Sequence, residues 1–167
     1  IEFPKLKIQP EHFVAISINF PNVQHLIVKC QSIGVIGIIL QYFRNIKTLS
    51  FDCDSDSVKV VNFPINDIVN RNLRELYIQD APYNNPAKDQ FQSTQTLTSL
   101  IKNSLPNLEK LKIENILALN SPFFEEILDG NNKLTHVHVD DISDNFHFDE
   151  RFVKDILLAH GRKLTYL

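Results

Sequence analysis

One short phrase recurs along this chain. Asn22-Val23-Gln24-His25-Leu26-Ile27-Val28-Lys29-Cys30 returns as Asn45-Ile46-Lys47-Thr48-Leu49-Ser50-Phe51-Asp52-Cys53. It returns again as Asn72-Leu73-Arg74-Glu75-Leu76-Tyr77-Ile78-Gln79-Asp80 and as Asn107-Leu108-Glu109-Lys110-Leu111-Lys112-Ile113-Glu114-Asn115. Lys133-Leu134-Thr135-His136-Val137-His138-Val139-Asp140-Asp141 is a weaker copy, and Lys163-Leu164-Thr165-Tyr166-Leu167 is the start of another. Self-similarity of this kind constrains architecture before any single residue does, because a unit this small cannot bury its own apolar side. Alternation over Leu76, Tyr77, Ile78 and Gln79 has period two. Leu76 and Ile78 therefore face one side of a strand, and Glu75, Tyr77 and Gln79 face the other. Copies stacked in parallel close a continuous core, with the intervening segments returning outside the sheet.

Three apolar positions recur as Val23/Leu26/Val28, Ile46/Leu49/Phe51, Leu73/Leu76/Ile78, Leu108/Leu111/Ile113 and Leu134/Val137/Val139, and Phe3/Leu6/Ile8 fits the same spacing at the start. On these residues the chain resembles a leucine-rich-repeat protein, whose signature is L-x-x-L-x-L-x-x-N/C-x-L. Successive copies begin 20, 23, 27, 35, 26 and 30 residues apart. The irregular period, with Cys at the strand exit, is most similar to the repeats of F-box leucine-rich proteins. The Cys, Asp or Asn here follows the last apolar position by two residues rather than three, which departs from the signature. The resemblance implies an α/β leucine-rich-repeat solenoid over residues 1–167, with about six to seven repeats, a curved parallel sheet and outer helices. It also implies recruitment of a substrate to a cullin-type ubiquitin ligase, with the repeats holding the substrate and a separate helical module outside this sequence docking the ligase.

The returns read as helices. Ile33 to Leu40 is strongly apolar, and Ile65 to Val69 is short and follows Pro64. Leu97, Leu100, Ile101 and Leu105 recur at helical spacing. Ser121-Pro122 opens a helix that Gly130 stops, and Asp149 opens another that Gly161 stops. The polar stretches Asp52 to Ser57 and Asp80 to Gln92 read as loops, the second accounting for the longest repeat.

The formal net charge of −3 gives no general reason to bind nucleic acid. No apolar run approaches membrane-spanning length, and no signal peptide is visible. The chain begins with Ile and ends within a copy of the repeat, so it is expected to be an excerpt of a longer array. None of its 16 asparagines begins an Asn-x-Ser/Thr acceptor, and its two cysteines lack paired-Cys flanks. Both features point to a cytoplasmic or nuclear protein. The alternative is an extracellular receptor or ligand-binding ectodomain, which a signal peptide and cysteine-rich caps in the full-length chain would reveal. A third is an enzyme that carries the repeats as an accessory domain.

Catalytic signals are weak. Gly34-Val35-Ile36-Gly37 lacks the third Gly and the Lys-Ser/Thr of a phosphate loop, and no Gly-x-Ser-x-Gly elbow exists. Cys30 and Cys53 fall at equivalent strand positions and read as two reduced thiols packed as small hydrophobes. His136, His138 and Asp140 project to one face of a strand, where two imidazoles and a carboxylate could ligate Zn²⁺. Polar residues are expected on that face in any case, so no metal or cofactor is assigned and no catalytic residue is named.

The functional candidate is instead the outward face of the strands. Lys5, Lys7 and Gln9 lie outward at the start. After them come His25, Ile27 and Lys29, then Thr48, Ser50 and Asp52, then Glu75, Tyr77 and Gln79. Lys110, Lys112 and Glu114 follow, then His136, His138 and Asp140, and Tyr166 ends the series. Such sheets serve as extended binding surfaces. The mixed charge fits a protein partner better than a phosphate backbone. Ile27, Tyr77 and Tyr166 are the candidate anchors, since aromatic and apolar residues dominate interface energetics.

Overall fold

The computed structural model describes residues 2–3, 10–30, 35–53, 68–80, 97–114, 121–131 and 133–140, together with Lys154, Gly161 and Thr165. Six strands, β1 (Glu2–Phe3), β2 (His25–Cys30), β3 (Thr48–Cys53), β4 (Glu75–Asp80), β5 (Lys110–Glu114) and β6 (His136–Asp140), form one sheet in chain order. Every neighbouring pair is parallel. The architecture is therefore α/β with a parallel sheet, and each return must carry the chain back to the same edge. The described returns are α1 (Pro10–Asn19), α2 (Val35–Tyr42), a π-helical turn (Leu100–Ser104) continuing the helical residues 97–99, and α3 (Ser121–Gly130).

The expected register holds from β2 to β6. Leu26, Leu49, Leu76, Leu111 and Val137 lie in one row across the strands, and Val28, Phe51, Ile78, Ile113 and Val139 in another. Leu49, Phe51, Leu76, Ile78, Leu111 and Ile113 are each at most 2 % exposed. They join one core with Ile36, Ile39 and Leu40 of α2, Leu100 and Ile101 of the π turn, and Phe124 and Ile127 of α3. Cys30 and Cys53 are paired positions in the register of β2 and β3.

Each of β2 to β6 starts two residues later than the apolar pattern suggests. The cause is a repeated bond at strand entry. The Gln24 carbonyl accepts from both Lys47 N and Thr48 N, at 2.7 and 3.0 Å. Lys47 O likewise accepts from Arg74 and Glu75, Arg74 O from Glu109 and Lys110, and Glu109 O from Thr135 and His136. One carbonyl serving two successive donors belongs to a turning backbone, and the evenly spaced ladder begins only beyond it. Thr165 N donates to Thr135 O at 2.8 Å, the first of these two bonds in the copy that begins with Lys163.

The first copy sits differently from its expected alignment. Phe3 lies opposite Val28, the third apolar position, rather than matching Val23. Helix α1 then starts seven positions after Phe3, as α2 starts seven positions after Val28. Leu6, Ile8, Lys5, Lys7 and Gln9 lie outside the described residues. Helix α1 itself was not anticipated, although Pro10 and Glu11 suit a first turn and Phe13 and Ser17 are spaced one turn apart.

Of the remaining helices, α2 and α3 fall within or close to their predicted spans. Ile68 and Val69 have no regular structure, and the helix expected between Asp149 and Gly161 lies outside the described residues, except for the helical Lys154. Gly130 is where the Lys102 stem crosses α3. A Cβ there would stand 2.6 Å from Lys102 Cγ, and Lys102 reaches on to Glu126 at 3.9 Å.

Two asparagines lie in the core between copies. Asn70 donates to the carbonyls of Leu40 and Phe43 at 3.3 and 3.2 Å, while its Oδ1 accepts from Asn72 N and Leu73 N, each at 3.1 Å. Asn131 donates to Leu105 O at 2.9 Å and accepts from Lys133 N. Both are 2 % exposed, so each group left without a partner would carry its full desolvation cost. Asn70→Ala is expected to destabilise the fold by about 1–3 kcal/mol. Leu76→Ala, which empties the central strand's core position, is expected to cost about 2–5 kcal/mol. Chemical denaturation checks both, and an unchanged midpoint for Leu76→Ala contradicts the assignment of that face.

Candidate functional site: the polar face of the sheet

The side chains opposite the core form three rows across the strands. At strand entry run His25, Thr48, Glu75, Lys110 and His136. The middle row is Ile27, Ser50, Tyr77, Lys112 and His138. The row at strand exit is Lys29, Asp52, Gln79, Glu114 and Asp140. All of these positions were read from the sequence as outward. Those whose exposure is described are half-buried or exposed, and Ile27 is 40 % exposed. Tyr166 lies outside the described residues.

The charges on this face are closed into pairs. Lys29 Nζ stands 3.2 Å from Asp52 Oδ2 across β2 and β3. Lys110 Nζ stands 2.8 Å from Glu75 Oε1 across β4 and β5. Lys112 pairs with Glu114 along its own strand. Just before the strands, Arg74 Nε lies 3.4 Å from Glu109, and its Nη1 donates to the carbonyls of Arg71 and Asn107.

Glu75 organises the centre. Its Oε1 takes Lys110, and its Oε2 accepts the Tyr77 hydroxyl at 3.2 Å. The bond from Lys110 holds the Glu75 carboxyl below its usual range, with burial acting in opposition. Glu75 in turn raises the Lys110 ammonium. Partial burial pushes the Tyr77 hydroxyl up, and the neighbouring Glu75 charge adds to that. The Tyr77 ring is half-buried on this face, and its hydroxyl is tied to Glu75.

Between β3, β4 and β5 the face holds a depression of about 180 Å³, lined by Ser50, Asp52, Tyr77, Gln79, Lys112 and Glu114 with parts of Phe51 and Ile78. Small-molecule sites usually enclose about 300–1,000 Å³, so this one suits a single side chain.

His136 lies between two threonine hydroxyls. His136 Nδ1 lies 2.9 Å from Thr135 Oγ1, and its Nε2 lies 3.2 Å from Thr165 Oγ1. Among the described residues no three His, Cys, Asp or Glu side chains come together in a way that could hold a metal ion. Thr135 and Thr165 were not singled out from the sequence. The Leu-Thr pair shared by the last two copies, Leu134-Thr135 and Leu164-Thr165, was the available signal.

No protein-family model, curated protein or solved structure matches this chain. Among the described residues, no helix is long and apolar enough to cross a membrane.

The Glu75–Lys110 pair sets a pH dependence. A carboxyl with a depressed folded-state pKa adds stability above its unfolded value, and that stability is lost as pH falls through the folded value. The raised Lys110 adds stability that is complete below its unfolded value and disappears only in strong base. Glu75→Gln is therefore expected to melt below the parent at pH 7, with the gap closing as pH falls below about 4. Thermal melts of both proteins across pH 3–7 measure this. A gap that stays constant over that range would show that the pair does not contribute.

Proposed function

We propose that this chain is a leucine-rich-repeat solenoid that binds a partner protein through its polar face, the concave side of a curved sheet. The observation that carries the reading is the face itself. Five successive strands hold their outward side chains in unbroken lateral register, with Tyr77 and the Glu75–Lys110 pair on the middle strands. A surface assembled one row per copy can follow an extended partner, which is how stacked repeats bind. The strand-entry bond repeated from β2 to β6, and strand order equal to chain order, support the solenoid part of the reading. The depression beside Tyr77 is sized for one partner side chain.

Within that reading, the likeness to F-box leucine-rich proteins makes the partner a substrate delivered to a cullin-type ubiquitin ligase in the cytoplasm or nucleus. The docking module would belong to sequence outside these residues. This finer assignment rests on the irregular repeat and the strand-exit Cys alone.

The test is to isolate a partner by pull-down and compare two variants. Tyr77→Ala is expected to weaken binding by about 1–3 kcal/mol, as for a central aromatic anchor, while the protein stays folded. Lys154→Ala, at an exposed helical residue outside the strands, is expected to leave binding unchanged. Loss with Lys154→Ala but not with Tyr77→Ala would put the partner on the helical side and sink the reading.

A further inference from the structure

The polar face has a layout that net charge does not reveal. Every charged side chain described on strands β2 to β5 is already in an ion pair: Lys29 with Asp52, Lys110 with Glu75, and Lys112 with Glu114. These pairs stand around a centre without charge. Thr48 and Ser50 of β3 and Tyr77 and Gln79 of β4 occupy it, with Ile27 beside Ser50 on β2. We propose that this centre takes an uncharged segment of the partner, whose aliphatic or aromatic side chains lie over Ile27 and Tyr77.

The proposal rests on the preceding reading of the polar face as the interface and adds the chemistry of what binds there. Three physical points carry it. A partner carboxylate or ammonium placed on this face would have to displace a closed pair or lose water with no unpaired charge to meet it, and desolvating an uncompensated charge is costly. An uncharged segment meets neither penalty. Secondly, Ile27 is the large hydrophobe that β2 to β5 leave most exposed on this face, and the half-buried Tyr77 ring lies two strands away in the same row. That separation is about 9–10 Å, which an extended segment covers in about three residues. Covering both removes apolar area from water. Thirdly, the depression beside Tyr77 offers the Ser50 hydroxyl and the Gln79 amide, neutral groups able to satisfy a partner's backbone, while the charged side chains that also line it, Asp52, Lys112 and Glu114, are held in ion pairs. The surrounding pairs would act as a rim that excludes water while contributing little energy of their own.

Such an interface is insensitive to salt, because little unpaired charge remains to be screened or to steer association. The experiment selects binders from a random twelve-residue peptide display library on the 167-residue chain, then titrates the winning synthetic peptides by fluorescence polarisation. Uncharged peptides carrying aliphatic or aromatic residues should emerge. Their affinity should change by less than about threefold between 50 and 500 mM NaCl. Ile27→Asp should weaken them by about tenfold or more and Ile27→Ser by less, with both variants melting close to the parent because Ile27 is exposed. Winners that are charged, lose more than about tenfold over that salt range and still depend on Tyr77 would overturn the proposal while leaving the face as the interface. Winners that bind Ile27→Asp and Tyr77→Ala as well as the parent, or a selection that enriches nothing, would overturn both.

Discussion

The structure depends on a single lateral contact at strand entry, repeated from copy to copy. One carbonyl, at Gln24, Lys47, Arg74 and Glu109 in turn, accepts two successive N–H groups of the following copy. An asparagine side chain reinforces it in the same direction, donating to the preceding copy. Asn45 donates to Pro21 O at 3.0 Å, Asn72 to Arg44 O at 2.8 Å and Asn107 to Arg71 O at 2.8 Å. Each reaches the carbonyl just before the equivalent asparagine of the preceding copy. Register follows from this clamp. A slip of one residue would turn every core side chain to the polar face, and it would also break the clamp at both ends of the strand's entry turn. In the copy that begins with Lys133 no such asparagine is available. There the Thr135 hydroxyl donates to Glu109 O at 3.3 Å instead.

With entry fixed, the return is free to vary. Steps of 20 to 35 residues between copies are tolerated because the entropy of closing a loop grows only slowly with its length. Whereas Phe20 of the first return is exposed, from the second return on the residue two positions before the entry residue (Asn45, Asn72, Asn107 or Lys133) is buried. Phe43 and Leu105 fill it with apolar bulk, whereas Asn70 and Asn131 fill it with amides bonded to the carbonyls of those same two residues. Apolar and amide solutions alternate, so each amide finds its acceptors on the copy before it. A buried amide is tolerable only when satisfied, and the alternation supplies the partner.

This explains which parts of the molecule could be read from the sequence. Strands and core were legible because both faces are written in a local period of two that recurs five times. The polar face was legible for the same reason, residue by residue. The asparagines were legible as punctuation but not as a clamp, since the bond joins residues 24 to 36 apart and no local pattern encodes it. The placement of β1 was misread because Phe3, Leu6 and Ile8 fit the three-position spacing by themselves, whereas the strand pairing sets Phe3 at the third position, opposite Val28. Pairing on the polar face escaped prediction because a lysine on a strand can reach sideways or along. Lys29 and Lys110 reach sideways, where Asp52 and Glu75 stand opposite. Lys112 has Tyr77 and His138 as lateral neighbours, and without a carboxylate on either side it turns along its strand to Glu114.

That last choice bears on how the sheet carries on to β6. Lys112 neutralises Glu114 within β5 itself, the strand that β6 joins. At the β2–β3 and β4–β5 junctions the balance is lateral instead, since Lys29 meets Asp52 and Glu75 meets Lys110 in their own rows. Because strand order equals chain order, each junction joins only consecutive copies, and strain at one cannot be shared by a distant strand. Each junction must therefore balance its own charge, satisfy its own carbonyls and bury its own apolar row. Local balance of this kind lets copies of unequal length and unequal sequence stack into one continuous sheet.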